Sequence, residues 1–146
     1  MYVSITEMIS DIEAESLKDK QIKLIKSYTL KYPQFKYFLR YAFFNNLNPC
    51  FTKIPNYKTN MVDITFSYVK LEKALSSIKF FFEGPDMIVG TKKREDRLVS
   101  LLQEMSWLET PVFEMLVLNN FKNSVLTKEL VIEALPEMED QNNVKT

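Results

Sequence analysis

Apolar positions recur along most of this chain at three- and four-residue spacing, the period of an amphipathic helix. Ile5, Met8, Ile9 and Ile12 form the first stripe. It follows Ser4-Ile5-Thr6-Glu7, a capping box in which a hydroxyl and a carboxylate reciprocally satisfy the N–H groups of a helix start. Leu17, Gln21, Leu24, Ile25 and Tyr28 give the second stripe, with Ser16 as the expected cap and Asp19 as its reciprocal partner. Lys18, Lys20, Lys23 and Lys26 occupy the remaining arc. Pro33 suits the first turn of a third helix, where its missing N–H costs no hydrogen bond. Phe35, Phe38, Leu39, Ala42 and Phe43 line that helix, and Tyr37, Tyr41 and Phe44 run beside them. A helix apolar over so much of its circumference belongs between neighbours, with Lys36 and Arg40 at its wet edge.

Periodicity fails over 45–62, NNLNPCFTKIPNYKTNMV, which holds two prolines and five asparagines and reads as a long loop. It resumes with a fourth helix opening at Asp63 or Thr65, buried through Tyr68, Leu71, Leu75, Ile78 and Phe82 and ended by Gly84-Pro85. A fifth helix, capped by Thr91, begins Lys92-Lys93-Arg94 and packs through Leu98, Leu101, Leu102 and Met105. Thr110-Pro111 opens a sixth, carried inward by Phe113, Leu116 and Val117. Thr127 caps a short seventh with Leu130, Val131, Ala134 and Leu135 buried, and Pro136 stops it. Trp107 and Phe121, each just past a helix end, are expected to staple the core. Phe80-Phe81-Phe82 cannot all face inward on one helix, so one ring is expected at the surface. The pattern predicts an all-α fold: a single compact domain of about seven short helices over 1–136, with the 45–62 loop and a flexible tail at 137–146.

Composition agrees. Two glycines in 146 residues argue against sandwiches, barrels and glycine-loop nucleotide folds. Histidine is absent, which excludes Ser-His-Asp and Cys-His catalysis and histidine metal sites. The one cysteine, Cys50, rules out an intrachain disulfide and thiolate zinc sites and reads as a small, half-buried side chain. Pro85-Asp86 lacks the companion residues of a nuclease cluster, and Glu137, Glu139 and Asp140 read as a solvated charge run. No catalytic residue, metal site or cofactor is therefore expected. The start MYVSITEMIS is not that of a signal peptide, and no apolar run approaches ~18 residues, so a membrane is not an expected partner.

Charge changes the picture, because a formal net charge of zero hides a strong local imbalance. Residues 18–58 carry nine Lys or Arg against Asp19 alone, nine minus one, or +8. Residues 1–17 carry four acids and no base. Such a distribution gives a basic side on a neutral molecule. Lys20, Lys23, Lys53, Lys58, Lys92, Lys93, Arg94 and Arg97 are candidates for pairing with phosphates by counterion release. Lys92, Lys93 and Arg94 also oppose the dipole at their helix start, a small local cost consistent with an anion partner. Ser124, Thr127 and Lys128 mark a second helix start with free N–H groups. The competing reading is that these lysines only solvate outward helix faces.

GTKKREDRLVSLLQEMSWLETPVFEMLVLNNF and LTKELVIEALPEM, with KDKQIKLIKSY, FKYFLRYAFFNNL and KIPNYK before them, resemble a family of small proteins of T4-like tailed phages over about residues 5–138. That family is similar to the all-helical N-terminal DNA-binding domain of T4-type ATP-dependent DNA ligases. There the turn into the last helix approaches the DNA backbone; the matching positions are Asn123 to Lys128. A glycine usual at that turn is absent here, as is the Lys-x-Asp-Gly motif of the ligase nucleotidyl-transfer domain. The resemblance implies a non-enzymatic protein of the host cytoplasm that binds DNA through its phosphates. The alternative is an adaptor or inhibitor that grips a phage or host protein, favoured by the balanced net charge and acidic ends.

Overall fold

A computed structural model describes residues 3–45, 47–83, 90–121 and 125–138. The fold is all-α. The elements are α1 (Ile5–Ala14), α2 (Lys18–Lys31), α3 (Pro33–Phe43), the 3-10 helix η1 (Ile64–Phe66), α4 (Leu71–Ala74), the 3-10 helix η2 (Leu75–Phe81), α5 (Thr91–Glu104), α6 (Thr110–Val117) and α7 (Lys128–Ala134). Among the described residues there is no strand, only isolated bridges between Pro49 and Phe82 and between Val69 and Met105. The chain divides into two compact units: 1–46 with 121–146, and 47–120.

The first unit holds α1, α2, α3 and α7, with α2 packed against the other three. Ser4 caps α1 as the capping box predicts, its Oγ accepting the Glu7 N–H at 3.0 Å. Ile5, Met8, Ile9 and Ile12 are buried, as are Phe35, Phe38 and Leu39 of α3 and Leu130, Val131 and Ala134 of α7. The Phe35 and Phe38 rings stack at 6.1 Å, and Phe121 meets Phe38 edge-on at 5.5 Å, the stapling role expected of it. Thr127 caps α7 through the Leu130 N–H at 3.2 Å. Met138 is buried, so packing continues two residues past Pro136; residues 139–146 lie outside the described residues.

The start of α2 differs from expectation. Its cap position is Leu17, 55% exposed, and no side chain caps it. Ser16 and Asp19 both fall one position too early for the reciprocal bond, and backbone bonds from Lys20 and Gln21 to the Leu17 carbonyl close the turn. The buried residues of the helix are Ile25 and Thr29, so Leu17 leaves the expected apolar face.

The second unit holds the long loop, η1, α4, η2, α5 and α6. The loop is unwound as expected, and a bond from the Tyr57 phenol to the Glu114 carboxylate ties it to α6. The expected fourth helix is broken. Asp63 accepts the Thr65 N–H at 3.1 Å and opens only η1. The chain then runs extended through Ser67 and resumes as α4, which tightens at once into η2. The reason is local: Ser76 bonds the Lys73 carbonyl at 2.7 Å, and serine and aromatic residues from 76 to 82 are poor propagators of an α-helix. Leu71, Leu75, Ile78 and Phe82 are buried as expected, but Tyr68 is 81% exposed because the extended turn sends Val69 inward instead. Gly84-Pro85 and Asp86 lie outside the described residues. Phe81 and Phe82 are buried and Phe80 is half-buried, so none of the three rings is fully exposed as expected.

Helix α5 starts at Thr91 with Gly90 at its cap position, and buries Leu98 and Leu102. It ends at Glu104, where the backbone turns extended at Met105 and gives the inward position to that residue. Trp107 consequently points out, 42% exposed, and does not staple the core.

Candidate nucleic-acid interface

On the first unit the exposed arc of α2 carries Lys20, Lys23 and Lys26, spaced i, i+3, i+6 so that they climb one side of the helix. Each is exposed, and none enters an ion pair among the described residues. Lys18, two residues before Lys20, is already bound to Glu133 of α7 at 2.7 Å. The Thr127 hydroxyl is taken up in capping α7, and the Lys128 ammonium lies 5.4 Å from the centre of the Phe44 ring. Ser124 lies outside the described residues. Of the predicted groups on this unit, Lys20 and Lys23 remain available to a ligand.

On the second unit Lys53 and Lys58 are exposed on the loop, and the Lys58 N–H donates to the Gln103 side chain of α5 at 3.2 Å. The basic start of α5 is largely engaged within the chain. Lys92 pairs with Asp96 at 3.0 Å, and that bond raises the lysine's pKa. The Arg94 Nε donates to the Phe80 carbonyl at 3.2 Å. Arg97 donates to Ser77 Oγ at 2.9 Å, with its guanidinium 5.5 Å from the Phe80 ring centre. The dipole cost of cations at this helix start is thus offset in part by Asp96, and an anionic ligand is not required to explain it. Lys93 is the cation of this group that points to solvent without an ion pair.

The same unit presents groups that periodicity misassigned. Exposure alternates from Phe66 to Val69: Phe66, the last residue of η1, and Tyr68, in the extended turn that follows, are exposed, and Ser67 and Val69 are buried. A stripe counted from Tyr68 through Leu71 and Leu75 reads equally well as helix, which is why the two-residue period was hidden. Cys50 is half-buried as expected, and burial raises its thiol pKa, which suits a structural thiol rather than a nucleophile. Among the described residues no group of three or more Cys, Asp or Glu is placed to hold a metal ion, and no helix is long and apolar enough to cross a membrane. Comparison of the chain with protein-family models, with curated proteins and with solved structures finds no match.

Proposed function

We propose that this protein is a non-catalytic accessory protein of a T4-like phage, acting in the host cytoplasm, that binds nucleic acid through its phosphate backbone. The observation that carries the reading is the row of uncommitted cations on α2: Lys20, Lys23 and Lys26 stand exposed with Asp19 as the one acid in the helix. Cations held in internal pairs gain little from a phosphate, whereas free ones release counterions from the polyanion on contact. Lys53, Lys58 and Lys93 offer further contacts on the second unit. The resemblance to ligase DNA-binding domains agrees with this assignment. The matching turn contributes less than it suggests, because Thr127 is engaged as a cap and Lys128 lies over Phe44.

Titration of a labelled oligonucleotide, in single-stranded and duplex form, tests the reading. Affinity is expected to fall steeply as salt rises, and to weaken by about tenfold or more in Lys20→Glu/Lys23→Glu with the fold intact. Absence of binding at low salt refutes it.

A second reading, an adaptor gripping a phage or host protein, is favoured by the exposure of Met61, Phe66 and Tyr68 on the second unit. It predicts a stoichiometric protein partner and no affinity for nucleic acid.

A further inference from the structure

Four oxygen atoms of one short turn converge on the Lys70 ammonium. It donates to the carbonyls of Ile64 at 2.5 Å, Thr65 at 3.1 Å and Ser67 at 2.9 Å, and the Ser67 hydroxyl oxygen lies 3.3 Å away. Local sequence builds this cluster. Asp63 Oδ1 accepts the Thr65 N–H at 3.1 Å and the Asp63 carbonyl accepts the Phe66 N–H at 3.0 Å, which bends the chain into η1. The Ser67 hydroxyl donates to the Ile64 carbonyl at 2.9 Å, so its oxygen keeps lone pairs for a cation. Ile64 and Ser67 are buried and Lys70 is half-buried, so water has only partial access to the cluster.

Carbonyl dipoles aimed at one point repel one another, and a positive charge between them makes the arrangement favourable. The donor set selects the kind of charge. Calcium and magnesium are held with the help of carboxylates, whereas the oxygens on Lys70 are three carbonyls and a hydroxyl. Converging backbone carbonyls are the groups that replace the hydration shell of potassium in selective pores. An ammonium has only three N–H groups to share among the four oxygens, while a spherical monovalent ion is not bound to three directions.

We propose that the 64–67 turn is a binding site for a monovalent cation of the potassium or ammonium class, occupied in this chain by the tethered ammonium of Lys70. Tethering keeps the site filled at any ion concentration. It also fixes the backbone on both sides of Phe66, whose ring is 80% exposed. The site is independent of the nucleic-acid reading.

Lys70→Met removes the ammonium and keeps an unbranched apolar stem. Full-length wild type and variant are unfolded with urea in potassium, ammonium and choline chloride at equal ionic strength. Choline, a quaternary ammonium, has no N–H to donate and is too bulky for the turn. The expected result is a lower midpoint for the variant in choline, rising with potassium or ammonium concentration, with no such difference in wild type. Crystals of the variant grown with rubidium, a heavier stand-in for potassium, are expected to show its anomalous signal among the carbonyls of Ile64, Thr65 and Ser67. A variant as stable as wild type in choline overturns the proposal. So does a variant with one midpoint in all the salts and no rubidium at the turn. Acylation of the wild type needs no variant: Lys70 is expected to react with an acetylating reagent more slowly than the exposed Lys53 and Lys58, and equal rates overturn the assignment.

Discussion

The fully buried Glu109 carboxylate accepts the Leu71 backbone N–H at 3.1 Å, so a residue 38 positions away caps α4. Lys70, at the cap position itself, supplies no side-chain acceptor. Glu109→Ala leaves that N–H buried and unsatisfied and is expected to destabilise the second unit by about 2–3 kcal/mol. Glu109→Gln keeps an acceptor and loses less. Urea denaturation of the two variants measures the difference.

This bond also marks where the fold was legible and where it was not. Caps that act within three residues, Ser4 on Glu7 and Thr127 on Leu130, could be read directly, and so could the buried stripes of α1, α3 and α7. The pairing of Glu109 with Leu71 depends on tertiary placement, which no local pattern encodes. Tyr68 and Trp107 were misassigned for a related reason. Tyr68 lies where helical spacing continues on paper but the backbone has turned extended at Ser67, and Trp107, placed just past a helix end as expected, follows an extended Met105 that takes the inward position instead. The cations were legible as a composition, but their partners were not. Asp96, Ser77 and the Phe80 carbonyl occupy three of the four basic groups of α5 that the charge pattern nominated.

Those three partners yield a prediction. Arg94 and Arg97 join α5 to η2, so Arg94→Ala or Arg97→Ala is expected to lower stability by about 1 kcal/mol through lost hydrogen bonds and the Phe80 contact. Lys93→Ala, which breaks no ion pair, is expected to leave the unfolding midpoint unchanged. Chemical denaturation of the three variants separates structural cations from available ones.

Leu17 holds a cap position in extended conformation, with φ −105° and ψ 128°, yet has no acceptor to offer the α2 N–H groups. Leu17→Asp introduces a carboxylate beside the positive end of the helix dipole and removes an exposed apolar side chain. A gain of about 0.5–1 kcal/mol is expected, read as a higher melting temperature.

Alkaline pH tests the contact between α1 and α2. The Tyr28 phenol donates to Asp11 Oδ2 at 2.6 Å; burial first, then this bond, push its pKa from 10.0 up to about 12. The folded state therefore favours the protonated phenol. Its stabilising contribution is whole below pH 10 and is lost as pH rises through about 12. Tyr28→Phe keeps the ring contacts with Tyr32 and Phe35 but removes the ionising group. Its stability is expected to decline less steeply over that window, measured by urea midpoints at neutral and alkaline pH.

The salt dependence of binding to an oligonucleotide tests the central claim most directly, compared between wild type and Lys20→Ala/Lys23→Ala. Each phosphate contact contributes about 0.7–0.9 to the slope of log affinity against log salt, and removing two lysines is expected to flatten it by about 1.5. A wild-type affinity that does not respond to salt, or a slope identical in the double variant, contradicts the account.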